Sequence, residues 1–144
     1  INLDYCVKAK LVKTEKATPF ELPTSSGKTK KYQEFGKVYF KINGAEQVLT
    51  VFQSLSLIEN PEYKDYLFLP FRDLTNGKET YGGGRYLDLR IPKNDEIIID
   101  FNKAYHPYCA YNAFDYNCPI VPEENRLKIP IEAGVKYEDI WFEH

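Results

Sequence analysis

The chain contains no methionine, one tryptophan, two histidines and three cysteines among its 144 residues. Each shortage closes off some readings. No apolar run approaches the ~18 residues of a membrane-crossing helix. A net charge of −2 leaves no basic excess to recruit nucleic acid or an anionic membrane. No segment keeps a 3.6-residue period over ten positions, so long amphipathic helices are not expected. With no methionine present, Ile1 is expected to be a processing boundary, and a leader ahead of it would lie outside this sequence. The 28% charged and 43% hydrophobic residues exclude intrinsic disorder. A domain of this length buries roughly 70% of its unfolded surface and folds without a staple, so residues 1–144 are expected to form one domain.

What the chain has in abundance is alternation. Leu3, Tyr5, Val7, Ala9 and Leu11 alternate with Asp4, Cys6, Lys8 and Lys10, the pattern of a half-buried strand. From Thr14 to Lys31 the composition is that of a loop, with Phe20–Leu22 a short strand within it. Asn43-Gly44 separates two β-rich runs, 36–42 and 45–55, as a type I′ hairpin demands. A two-residue turn there pairs Ile42 with Ala45, Lys41 with Glu46, Phe40 with Gln47, Tyr39 with Val48 and Val38 with Leu49. Val38, Phe40, Ile42 and Leu49 then share a face.

Further along, Asn60-Pro61 opens a turn or short helix, and strands are expected at Tyr66–Phe71 and Arg85–Ile91. Glu96–Phe101 is apolar on both parities and predicts a central strand or one covered on both faces. Leu127, Ile129 and Ile131 are expected to close the sheet. The class is all-β: one antiparallel barrel, closed or partly open, with a sandwich as the second choice.

Three loop segments could carry chemistry: 71–80, 81–86 and 100–112. Gly82-Gly83-Gly84 costs backbone entropy, which is tolerable at positive φ or where a ligand or strand comes close. Arg85 beside it could clamp a carboxylate or phosphate. The competing reading is a glycine corner with Arg85 paired internally to Asp73, Glu79 or Asp100. Ser26-Gly27-Lys28-Thr29 ends like a phosphate loop, but position 22 is Leu where the pattern needs Gly. Cys109 and Cys118 could form a disulfide, which would favour a secreted or periplasmic compartment. The alternatives are that they are reduced and buried, join His106 and Asp115 around zinc, or supply a thiol beside His106. A lone histidine and the lack of Cys-x-x-Cys argue against metal, and no metal or cofactor is expected. Asp100 with Asn102 and Tyr105 could wall a polar site, or Asp100 and Asn102 could cap the loop backbone.

The residues of these segments resemble a known family. Leu67-Phe68-Leu69-Pro70-Phe71-Arg72-Asp73 and Gly77-Lys78-Glu79-Thr80-Tyr81-Gly82-Gly83-Gly84-Arg85-Tyr86 are similar to the signature of the DUF1684 family, bacterial and archaeal proteins of unknown function. Asp100-Phe101-Asn102-Lys103-Ala104-Tyr105, Cys109-Ala110-Tyr111, Cys118-Pro119, Asn125-Arg126-Leu127 and Ile131-Glu132-Ala133-Gly134 continue the likeness. The resemblance implies that this chain starts inside the family's region, after a further N-terminal segment. It points to Arg72, Asp73, Glu79, Arg85, Asp100, Asn102 and Cys109 as a cluster, and it names no reaction.

The function expected from these residues is a small-molecule pocket for an anionic or polar ligand at one end of the barrel. Arg72, Asp73, Glu79, Gly82, Gly83, Gly84, Arg85, Asp100, Asn102, Tyr105 and Cys109 would form it. Two alternatives stand beside it. One is a hydrolase with Asp100 or Glu79 as general base and Arg85 stabilising negative charge. The other is a secreted structural or interaction protein without a catalytic site. Oligomeric state stays open.

Overall fold

The computed structural model describes residues 3–76, 84–106 and 118–134. One turn of 3-10 helix, Leu3–Tyr5, leads into β1 (Cys6–Lys13). There follow β2 (Phe20–Pro23), β3 (Thr29–Ile42), β4 (Ala45–Ser54), β5 (Tyr66–Phe71), β6 (Arg85–Arg90) and β7 (Glu96–Asp100). They form one antiparallel seven-stranded sheet in the order β6-β5-β4-β3-β1-β7, with β2 flanking β3. The sheet curls into a half-barrel whose two outermost strands are β6 and β7. The barrel is thus the partly open form, and one isolated bridge, Tyr86 to Tyr105, links its two sides.

The β3–β4 hairpin has the register that its turn dictates, from Ile42 opposite Ala45 to Val38 opposite Leu49. Asn43 and Gly44 both take positive φ, 50° and 82°, which type I′ geometry requires at its two central positions. The inward parity packs the main core, where Val38, Phe40, Ile42 and Leu49 are all at most 4% exposed. A second apolar cluster, Leu22, Tyr32, Phe52, Phe68 and Tyr86, lies apart from it. Because β5 contributes Leu67, Leu69 and Phe71 to the first cluster and Phe68 to the second, Leu67–Phe71 is buried on both parities.

The structure corrects several expectations. The first strand begins at Cys6, and Leu3 is 81% exposed. The loop expected to run on to Lys31 is shorter, since β3 starts at Thr29 and pairs with β2. Glu96–Asp100 stands at the end of the strand order rather than at its centre, and its outward-facing Ile98 is 54% exposed. Leu127 and Ile131 fill the core without forming a strand.

Asn125 explains how that last segment is held. It is fully buried, and its amide behaves like a piece of backbone inserted between β4 and β5. Its Oδ1 accepts from Thr50 N (2.9 Å), while Nδ2 donates to Thr50 O (2.8 Å) and Pro70 O (2.7 Å). Pro70 has no N–H to offer, and β4 and β5 share just one paired position, Phe52 with Phe68. The side-chain amide satisfies the groups that this interrupted ladder leaves over.

Candidate functional site

Two places gather the side chains that the sequence singles out. The first is a buried clasp. Phe71 ends β5 opposite Arg85 at the start of β6, which brings Asp73, two residues on, beside the arginine. Arg85 is fully enclosed and its Nη2 meets Asp73 Oδ2 at 3.0 Å. Nη2 also donates to Ile131 O at 2.9 Å, Nη1 donates to Ala133 O, and the guanidinium lies 5.2 Å from the centre of the Phe71 ring. Asp73 is equally committed: Oδ1 accepts from Thr75 N and Oγ1, and Oδ2 accepts from Ile131 N at 2.7 Å. A buried ion pair is tolerable when its remaining valences are hydrogen-bonded in this way. Gly84 lets the chain enter the clasp: its φ is +102°, and a Cβ there would stand 2.7 Å from Phe71 O. Arg72 takes part through its backbone, in a parallel bridge to Arg126.

The second place is the seam between the two outermost strands. A groove of about 380 Å³ runs there, lined by Leu87, Asp88 and Leu89 of β6, Ile98 and Asp100 of β7, and by Cys6, Lys103 and Tyr105. Its two carboxylates are held in place by one oxygen each. Asp88 Oδ1 accepts the hydroxyls of Tyr66 and Tyr105, both at 2.7 Å. Asp100 Oδ1 accepts Asn102 N at 3.1 Å and Nδ2 at 2.9 Å. The second oxygen of each has no hydrogen-bond partner among the described residues. Burial, followed by the bond to Asp88, raises the Tyr66 hydroxyl pKa far above the usual phenol value, so the tyrosine remains a donor.

Of the residues expected to form one site, the structure separates two groups. Asp73, Gly84 and Arg85 build the clasp, with Arg72 bridging beside it. Asp100 and Tyr105 line the seam, with Asn102 orienting Asp100. Arg85 does not line the seam groove. Glu79, Gly82, Gly83, Cys109 and Asp115 lie outside the described residues. Cys118 is disulfide-bonded, whereas Cys6 is free and exposed. His106 is buried, at 3% exposure. Among the described residues no group of three or more His, Cys, Asp or Glu is placed to hold a metal ion, and no helix is long and apolar enough to cross a membrane.

Sequence reasoning missed Asp88, Lys103 and Cys6. Asp88 stands on the same outward parity as Tyr86 and Arg90, a signal that the sequence does contain. That this parity faces a gap follows only from the sheet order. A larger and more open cleft, about 740 Å³, lies over β1 and β3 between Lys8, Lys10 and Lys41 and the acids Glu46, Asp95 and Glu96. Its charges balance, and it contains none of the residues singled out by the sequence.

The fold and its clasp define an all-β half-barrel protein tied together by a buried Arg–Asp pair. The family described as "Protein of unknown function (DUF1684)" matches residues 1–136, and the chain belongs to that family. The chain is similar to the uncharacterized protein from gene locus rrnAC0354 of Haloarcula marismortui, solved in solution by NMR. The two share 35% identity and a TM-score of 0.75, over 94% of this chain and 72% of that one. No curated protein matches the chain.

Proposed function

We propose that this protein binds a small polar ligand in the seam groove, and that the ligand presents a cationic or donor-rich group to Asp88 and Asp100. The observation that carries this reading is the pair of pre-oriented carboxylates, each fixed through one oxygen and open at the other. The groove's volume is in the range of small-ligand sites, ~300–1,000 Å³. Lys103 adds one positive charge at its rim and can meet a carboxylate on the same ligand.

The reading favoured by the sequence placed an anionic group against Arg85. The guanidinium's bonds to Asp73, Ile131 and Ala133 speak for a scaffold role instead. This also weighs against the hydrolase alternative, because the candidate base Asp100 and the candidate charge-stabilising Arg85 do not line one cavity. A disulfide between Cys109 and Cys118 fits the bonded state of Cys118 beside the free Cys6.

The test is an amide-shift titration with small primary amines, amino-acid amides and neutral sugars. Amines are expected to move the Asp88, Ile98, Asp100 and Lys103 amides. Asp100→Asn should weaken that binding tenfold or more without lowering the melting temperature. If no member of the panel moves these amides at millimolar concentration, the reading fails.

A further inference from the structure

The seam has a second property, which belongs to its backbone. In an antiparallel ladder the N–H and C=O of one residue point to the same side, and successive residues alternate. Ile91 N donates to Asp65 O at 2.8 Å, so residues 85, 87, 89 and 91 turn their amides toward β5. Residues 86, 88 and 90 therefore face the seam, as the reciprocal Tyr86–Tyr105 bonds of 2.9 and 3.1 Å attest. On the other side Leu11 N donates to Asp95 O at 2.7 Å, which turns residues 95, 97 and 99 toward β1 and 96, 98 and 100 toward the seam. Two strand edges thus confront each other across the groove. Asp88 and Arg90 on one edge and Ile98 and Asp100 on the other turn their N–H and C=O into the gap, whereas Tyr86 is bonded to Tyr105 and the Glu96 N–H to Asn94 Oδ1. Neither edge has a strand partner among the described residues.

We infer that the ligand of this groove is an extended peptide that inserts as a strand between β6 and β7, and this rests on the seam being the binding site. Strand addition to open edges draws its affinity from main-chain hydrogen bonds and its selectivity from alternate side chains. Inward side chains of the inserted strand would meet the half-buried Leu89 and, beneath it, the buried Leu87, both of which line the groove. Outward ones would meet Asp88, Asp100 and Ile98. The chemistry that fits is a peptide alternating basic and small apolar residues. Charge commonly blunts a sheet edge, and β7 carries it at both ends in Glu96 and Asp100. Here Ile98, 54% exposed, stands at the middle of the β7 edge. Because β6 runs away from the Tyr86–Tyr105 bridge and β7 runs toward it, the inserted strand would be antiparallel to one edge and parallel to the other.

The experiment titrates the whole chain with an acetylated, amidated hexapeptide alternating lysine and valine. Two controls accompany it: lysine amide, and the same hexapeptide N-methylated at every second residue. Strand insertion predicts that the Asp88, Arg90 and Ile98 amides shift and become protected from hydrogen exchange, and that N-methylation weakens binding tenfold or more. Equal binding of the methylated peptide, or lysine amide acting alone, would overturn strand insertion and leave the polar-ligand reading standing. Silence at these amides toward the peptides and the whole small-molecule panel would remove both. Self-association through the same amides without any peptide would assign the seam to a second copy and overturn the inference.

Discussion

Asp73 and Arg85 meet at 3.0 Å with both side chains sealed from solvent, and the same two residues grip the backbone of Ile131 from both of its polar groups. The clasp therefore joins β5, β6 and the strandless C-terminal segment in one contact. It is a device for holding chain that has no ladder of its own.

Removing one partner of such a pair leaves an uncompensated buried charge, at a cost of about 3–5 kcal/mol. In a protein near 150 residues each kcal/mol lowers the melting temperature by ~2–4 °C. Arg85→Ala is expected to melt roughly 6–20 °C below the natural chain in a calorimetric scan. A drop of less than about 3 °C would mean that the arginine is not the clasp described here, and would return it to the list of ligand contacts.

How much of this was legible beforehand depends on how local each feature is. The β3–β4 hairpin was readable to the residue, because Asn43-Gly44 fixes the turn and the turn fixes the register. Strands β5 and β6 were readable as short runs of apolar and aromatic residues. The open seam was not, because whether β6 and β7 meet is a property of the whole curl. Ile97, Ile98 and Ile99 look the same in sequence whether the strand is covered on both faces or stands at an edge. Arg85 was ambiguous for a similar reason. Three glycines before an arginine suit a ligand loop as well as a corner, and what decides is a pair of carbonyls at Ile131 and Ala133, 46 and 48 residues away.

Asn125 offers a sharper test of the same principle. Asn125→Ala leaves Thr50 N–H without its acceptor and removes a donor from the carbonyls of Thr50 and Pro70, all in a site with no exposure. An unsatisfied buried group costs about 1–3 kcal/mol, so the expected loss is roughly 3 kcal/mol or more. Asn125→Asp should be no better, since its carboxylate would face two carbonyl oxygens. Urea midpoints check the magnitude, and exchange at the Thr50 amide checks the cause: it should accelerate in Asn125→Ala far more than the amide of Val38. Parallel acceleration of both would mean general loosening instead of a lost bridge.

The tyrosines give the fold an alkaline limit. Burial pushes the Tyr32 hydroxyl from 10.0 up to about 12, and raises that of Tyr66 further, first by burial and then through its bond to Asp88. In the unfolded chain both would ionise near pH 10, so above that value the unfolded state sheds protons that the folded state keeps. Their contribution to stability is therefore complete below about pH 10 and is lost as pH rises through about 12 for Tyr32. Urea unfolding between pH 9 and about 12 should reveal a stability that holds and then falls. Tyr66→Phe should flatten part of that fall, because its ring stays buried while its titration disappears. An unchanged slope in this variant, with phenolate absorbance rising at pH 10 before any loss of structure, would mean that Tyr66 is solvated and that its hydroxyl does not hold Asp88.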